Sequence, residues 1–147
     1  FTPVRDYGFL EINRLLRRLH PEIVQRAEAE IIAIGGHIQR DVASDLLRIN
    51  DEFTVSIVLA RCLINARGGG QWKIRLDTSL CPDITIAVRL DHQNGAALDY
   101  YLLPWLDLGP TQLRLRESNG VLLDGYRFDS LDMLYRMAAR SRIRRAA

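Results

Sequence analysis

The chain has 147 residues, 48% hydrophobic and 26% charged, with a formal net charge of +2. That length suits one domain with a real core, and a composition near the globular average excludes disordered, collagen-like and disulfide-scaffold classes. No apolar run approaches the roughly 18 residues of a membrane span, no signal peptide is read at the start, and the two cysteines, Cys62 and Cys81, suit a reducing, cytoplasmic setting. Phe1 stands where an initiator methionine would, which is expected of a module cut from a longer protein.

Residues 7–19 place Leu10, Ile12, Leu15, Leu16 and Leu19 at helical spacing, with Arg14, Arg17 and Arg18 on the other side. Pro21 suits the first turn of a second helix, and Glu22 in that turn is favoured by the dipole. This helix buries Ile23, Val24, Ala27, Ile31 and Ile34, and Gly35-Gly36 ends it. Residues 37–48 read as a third helical or mixed stretch.

From Asp51 the period changes to two. Phe53, Val55, Ile57 and Leu59 alternate with Thr54, Ser56, Val58 and Ala60. Trp72, Ile74 and Leu76 alternate with Lys73, Arg75 and Asp77, and Ile84, Ile86, Val88 and Leu90 with Thr85, Ala87 and Arg89. These are half-buried antiparallel strands by pattern. Gly68-Gly69-Gly70 links two of them as a mobile loop, and Asn94-Gly95 turns the chain before a strand over 98–103. Residues 113–117 and 121–128, joined at Asn119-Gly120, read as a hairpin with a type I′ turn. Asp129 or Ser130 caps a last helix that turns Leu131, Leu134, Tyr135 and Ala138 inward. The expected class is α+β: N-terminal helices, a mainly antiparallel sheet of about six strands, and a C-terminal helix.

Charge divides the chain into a body, 1–135, and a basic end, 136–147. The end carries Arg136, Arg140, Arg142, Arg144 and Arg145 without an acid, which leaves 15 basic against 18 acidic residues in the body. Basic blocks of this kind mark tails that meet a polyanion, although arginines also complement the negative pole of a helix end. Nineteen of the basic residues are Arg and only Lys73 is Lys; the arginine fork suits phosphate, and codon usage produces the same bias. Within the strands, side chains two apart share a face, so Lys73 with Arg75, Arg89, and Arg114 with Arg116 form a basic stripe if their strands adjoin. Tyr100, Tyr101, Trp105 and Tyr126 are candidate stacking platforms for unpaired bases. The alternative is an ordinary solvated sheet face on which Asp77, Asp91 and Glu117 pair those arginines.

Catalytic patterns are thin. Asp77, Asp83, Asp91, Asp99 and Asp107 recur at strand ends, and a divalent-metal nuclease needs several such carboxylates converging. Pro82-Asp83 before a strand is similar to one piece of the restriction-nuclease signature, but the downstream acid-x-lysine is absent, since Lys73 lies upstream and Val88-Arg89 offers no acid. Strand-end aspartates are more often turn formers. His20, His37 and His92 are dispersed, and neither cysteine has a zinc-like partner or a base. Gly68-Gly69-Gly70 opens no helix and is followed by no Lys-Ser/Thr, so it is not a phosphate loop.

The expected function is a non-catalytic nucleic-acid-binding module, DNA favoured, of a larger protein or complex linked to recombination, defence or mobile elements. Its contacts are Arg75, Arg89, Arg114, Arg116, Arg140, Arg142, Arg144 and Arg145, with no cofactor and no metal. A protein-interaction or assembly domain is the first alternative. A metal nuclease using Asp77, Asp83 and Asp91 is the second.

Overall fold

The computed structural model describes residues 14–41, 46–64, 68–75, 82–104, 112–116 and 121–146. Helix α1 occupies residues 14–19 and α2 spans Pro21–Ala33. Pro21 opens α2, where its missing N–H costs nothing. At the other end Gly35 N donates to the Ile32 carbonyl (3.0 Å) and Gly36 N to the Ile31 carbonyl (2.9 Å). This Schellman closure needs the left-handed φ of +95° that Gly35 adopts. Ile23, Ala27 and Ile31 are buried as their spacing implies, whereas Leu15 and Leu19 of α1 are exposed and only Leu16 points inward.

Nine strands form two sheets among the described residues. The larger has the order β1 (Ile38–Arg40), β2 (Leu47–Ile49), β3 (Phe53–Ala60), β6 (Ile84–Leu90), β7 (Ala97–Pro104), β9 (Arg127–Phe128). The smaller has the order β4 (Cys62–Ile64), β5 (Gly70–Arg75), β8 (Gln112–Arg116). Every pairing is antiparallel except β3 with β6. A parallel pair needs a crossover, and here the β4–β5 hairpin lies within it. The α+β class and the mainly antiparallel pairing agree with the sequence pattern, with the strands divided between two sheets.

Two segments differ from expectation. The stretch read as helical or mixed, 37–48, contains the β1 and β2 strands, joined through residues 42–45, which lie outside the described set. The strand expected over 121–128 is instead a helical turn, α3 (Val121–Asp124), followed by the two-residue β9. The Asn119-Gly120 turn falls outside the described residues. The last helix, α4 (Leu134–Ala146), starts a turn later than its composition implied, and Ser130 Oγ accepts from Asp132 N at 3.4 Å.

Alternation predicts half-burial for β3 and β6, yet nearly every residue of both is inside. The reason is cover on both faces. One face, with Val55, Ile57, Ile84, Ile86, Val88 and Leu102 in register, meets the helices. There the Tyr100 hydroxyl donates to Glu30 of α2, and Phe53 stacks edge-on against Tyr135 of α4 with ring centroids 5.9 Å apart. The opposite face, with Ser56, Val58, Thr85, Ala87, Arg89 and Tyr101, carries the small sheet at its Arg89 end. A strand covered on both faces loses its polar row, as parallel-paired strands commonly do. None of the described helices is long and apolar enough to cross a membrane.

Burial and the hydrogen bond to Glu30 together push the Tyr100 hydroxyl well above its ordinary pKa of 10.0, and burial raises Tyr101 as well. A folded pKa above the unfolded one stabilises the fold fully below about pH 10, and that contribution is lost as pH climbs toward the folded value. Denaturant midpoints are therefore expected to fall as the pH passes about 10, and to fall less steeply in Tyr100→Phe, which has no phenol to ionise at that position.

Candidate functional site

The small sheet carries the candidate site. In its register Gln71 lies opposite Arg116, Lys73 opposite Arg114, and position 75 opposite position 112. Leu63 of β4 joins the same row opposite Gln71. Cross-strand partners share a face, so this row presents Lys73, Arg114 and Arg116, all exposed, and contains no acid among the described residues. The reverse face is apolar: Trp72 opposes Leu115 and Ile74 opposes Leu113, with Trp72, Ile74 and Leu115 buried. The basic stripe read from the alternation of β5 and β8 is thus present on one sheet, with positions 75, 114 and 116 on it.

Arg89 is not part of that surface. It is 3% exposed and faces the back of the small sheet. Its Nε and Nη2 grip both oxygens of the buried Asp99 at 2.8 and 2.6 Å, a bidentate fork. Its Nη1 donates to the Arg116 carbonyl at 3.0 Å, and the guanidinium lies 4.5 Å from the Trp72 ring and 5.5 Å from the Tyr101 ring. Arg127 Nε adds a 2.8 Å bond to Asp99. The Trp72 indole N–H in turn donates to the Leu90 carbonyl at 2.8 Å. Arg89 therefore positions the basic face from behind, and the expectation that it projects to solvent is corrected by the second sheet lying over it. The signal was present in the sequence: one Arg and one Asp, each embedded in an otherwise apolar strand.

The C-terminal arginines are elsewhere. The Ser141 hydroxyl of α4 donates to the Asp83 carbonyl at 3.0 Å, at the start of β6, whereas the small sheet is held by the end of β6. Seven strand residues separate those ends by about 20 Å. Arg140 is exposed and its guanidinium lies 5.8 Å from the Tyr126 ring; Arg142, also exposed, is 3.9 Å from Glu52. Arg144 and Arg145 belong to the same helix. The continuous surface expected from the sequence is thus divided: Ser141 and Arg142 lie at the Asp83 end of β6, away from the end that holds the small sheet, and Arg140 lies by Tyr126 beside β7 and β9.

The strand-end aspartates have separate tasks. Asp83 Oδ2 accepts from the Thr54 amide (2.9 Å) and hydroxyl (3.3 Å), tying β6 to β3. Asp91 Oδ1 accepts from Gln93 N (2.8 Å) in the β6–β7 turn, where Gly95 adopts φ +68°. Asp99 belongs to the Arg89 cluster, and Asp77 and Asp107 lie outside the described residues. No group of three potential metal ligands converges among the described residues. The aromatic platforms are also accounted for: Tyr100, Tyr101 and Tyr126 are 4% exposed or less, and Trp105 lies outside the described set. Of the glycine loop, Gly70 opens β5, where a Cβ would meet Trp72 at 3.0 Å and the Cys62 sulfur at 3.1 Å, and Gly68 adopts φ +83° with open space around it. A cleft of about 260 Å3 beside α2 holds Glu28, Arg40 and Arg17. Its charges serve the fold: Arg40 pairs with Glu28, and Arg17 caps the Ile57 carbonyl, which β2 is too short to reach.

No protein-family model matches the sequence, and no curated protein matches it. Among solved structures the chain is similar to the bacterial homing endonuclease I-Ssp6803I. The TM-score is 0.53 and the identity 13%, over 88% of this chain and 96% of that one. At that identity the likeness is one of fold.

Removing the fork leaves Asp99 buried with only the partly exposed Arg127, so Arg89→Leu is expected to cost about 3 kcal/mol in chemical denaturation. The double variant Arg89→Leu/Asp99→Leu is expected to lose clearly less than the two single losses added, because the charges leave together.

Proposed function

We propose that this chain is a non-catalytic nucleic-acid-binding module, DNA favoured, of a larger protein or complex linked to recombination, defence or mobile elements. The carrying observation is the exposed row of Lys73, Arg114 and Arg116, with position 75 in register, on a face that holds no acid among the described residues. Such a row neutralises phosphates, the sequence-independent part of nucleic-acid affinity. Arg140, Arg142, Arg144 and Arg145 form a second contact region at the end of α4. The shared fold with a protein named as a homing endonuclease supports a DNA-related setting. The non-catalytic part of the reading is supported by Asp83, Asp91 and Asp99, each occupied in holding strands or turns.

Truncating α4 would be a poor test, because Ala138 and Ser141 are buried. Substitution is cleaner. Binding of a labelled DNA duplex is measured across a salt series for the wild type, for Lys73→Ala/Arg114→Ala/Arg116→Ala, and for a variant with the four tail arginines changed to Gln. The slope of log affinity against log salt should fall by roughly 0.9 for every phosphate that is no longer neutralised. The sheet variant is expected to weaken binding and flatten the slope. Affinity that does not depend on salt, or that survives both variants, would overturn the reading in favour of a protein-interaction domain.

A further inference from the structure

From the geometry of the small sheet we infer, building on the nucleic-acid reading above, that the ligand is B-form duplex DNA and that the β5–β8 ribbon enters its major groove. β4 pairs with β5 only from Gly70 to Trp72. From Lys73 to Arg75 the strand has a partner on one side alone, β8. The sheet thus narrows from three hydrogen-bonded strands to two at the Lys73–Arg114 pair, while the Gln71–Arg116 pair lies in its three-stranded part. Two strands lie about 4.8 Å apart, and the B-DNA major groove, about 12 Å wide, admits a two-stranded ribbon. The major groove of an A-form RNA helix is too narrow and deep for side chains to read.

The residue types on the ribbon suit that position. Lys73 and Arg114 face each other across the strands, and the Gln71–Arg116 pair follows one pleat repeat further along, about 7 Å away. Arginine and lysine reach the O6 and N7 acceptors of guanine, and glutamine pairs with adenine. A protein built for single strands needs exposed aromatic platforms. Here Trp72, Tyr100, Tyr101 and Tyr126 are all buried, and no described aromatic stands on the basic face. The ribbon is also held firmly from behind, through Trp72 on Leu90 and Arg89 on Arg116. It is presented as a preformed element.

The test is a competition series on the whole chain, with a mixed-sequence DNA duplex, its single strands, and an RNA duplex of the same sequence as probes. Duplex DNA is expected to bind about tenfold or more tighter than the other two, the scale of one good base contact. A second duplex with every guanine replaced by 7-deazaguanine removes a major-groove acceptor and leaves the phosphates intact. It should bind several-fold more weakly to the wild type and without that penalty to Lys73→Ala/Arg114→Ala, whose exposed positions leave the core untouched. Equal or tighter binding to single strands or RNA overturns the duplex assignment while the nucleic-acid reading stands. Indifference to 7-deazaguanine in the wild type overturns groove entry and leaves a phosphate-only contact. No binding to any probe overturns the parent reading instead.

Discussion

The Arg89 guanidinium sits where the two sheets meet, and most of what makes the basic face a defined surface depends on it. Burying an arginine carries a large desolvation penalty, offset here by a bidentate carboxylate, a backbone carbonyl and two aromatic faces. These partners come from three strands: Asp99 and Tyr101 from β7, Arg116 from β8, Trp72 from β5. One side chain therefore ties the central sheet to the small one, beside the Trp72–Leu90 hydrogen bond. The register shift of β6 falls between Arg89 and Leu90, the two residues that hold the small sheet. A bulge locally re-aims a strand's groups, and here it coincides with the Leu90 carbonyl that accepts from Trp72.

Much of the architecture was legible because local chemistry agreed with the final structure. Pro21 and Gly35-Gly36 bound α2, and the apolar spacing between them matches its buried face. The alternation in 53–60, 72–77 and 84–90 marked β3, β5 and β6 as strands. What alternation does not contain is what covers each row. Thr85, Ala87 and Arg89 have the polarity of a wet face and are buried, with Arg89 under Trp72, because the strands that cover that end come from 62–75 and 112–116. Short elements were illegible for another reason: β1 and β2 have three residues each and β9 two, too few for a period to register. Their pairing is decided by neighbours, as in Asn50, whose side-chain amide carbonyl accepts from His37 N at 2.7 Å while its own φ is +54°.

The arginine bias, ambiguous as composition, separates by location. Several arginines are structural: Arg17 caps the Ile57 carbonyl, Arg40 balances Glu28, and Arg89 and Arg127 share Asp99. Planarity and permanent charge suit these roles, above all that of the buried Arg89, where a lysine would lose the fork. The single lysine, by contrast, stands exposed on the ribbon, where a compact charge on a flexible stem is sufficient for phosphate. A count of arginines overstates the exposed basic face, and the two-residue pattern of β5 and β8 locates that face better.

The same separation bears on how a polyanion would approach. Residues 1–135 hold 15 basic and 18 acidic residues, a slight net negative charge. Against that background the acid-free described row of the small sheet is a local reversal of sign, and helix α4, which carries Arg140, Arg142, Arg144 and Arg145, is another. On the proposed function, that contrast in sign would orient an encounter before any contact forms. With the ribbon clamped by Arg89 and Trp72, the orientation set at long range is the one the narrow end of the sheet can use. On the proposed function, the slightly acidic body and the basic face would act together, the first limiting where a duplex approaches and the second receiving it.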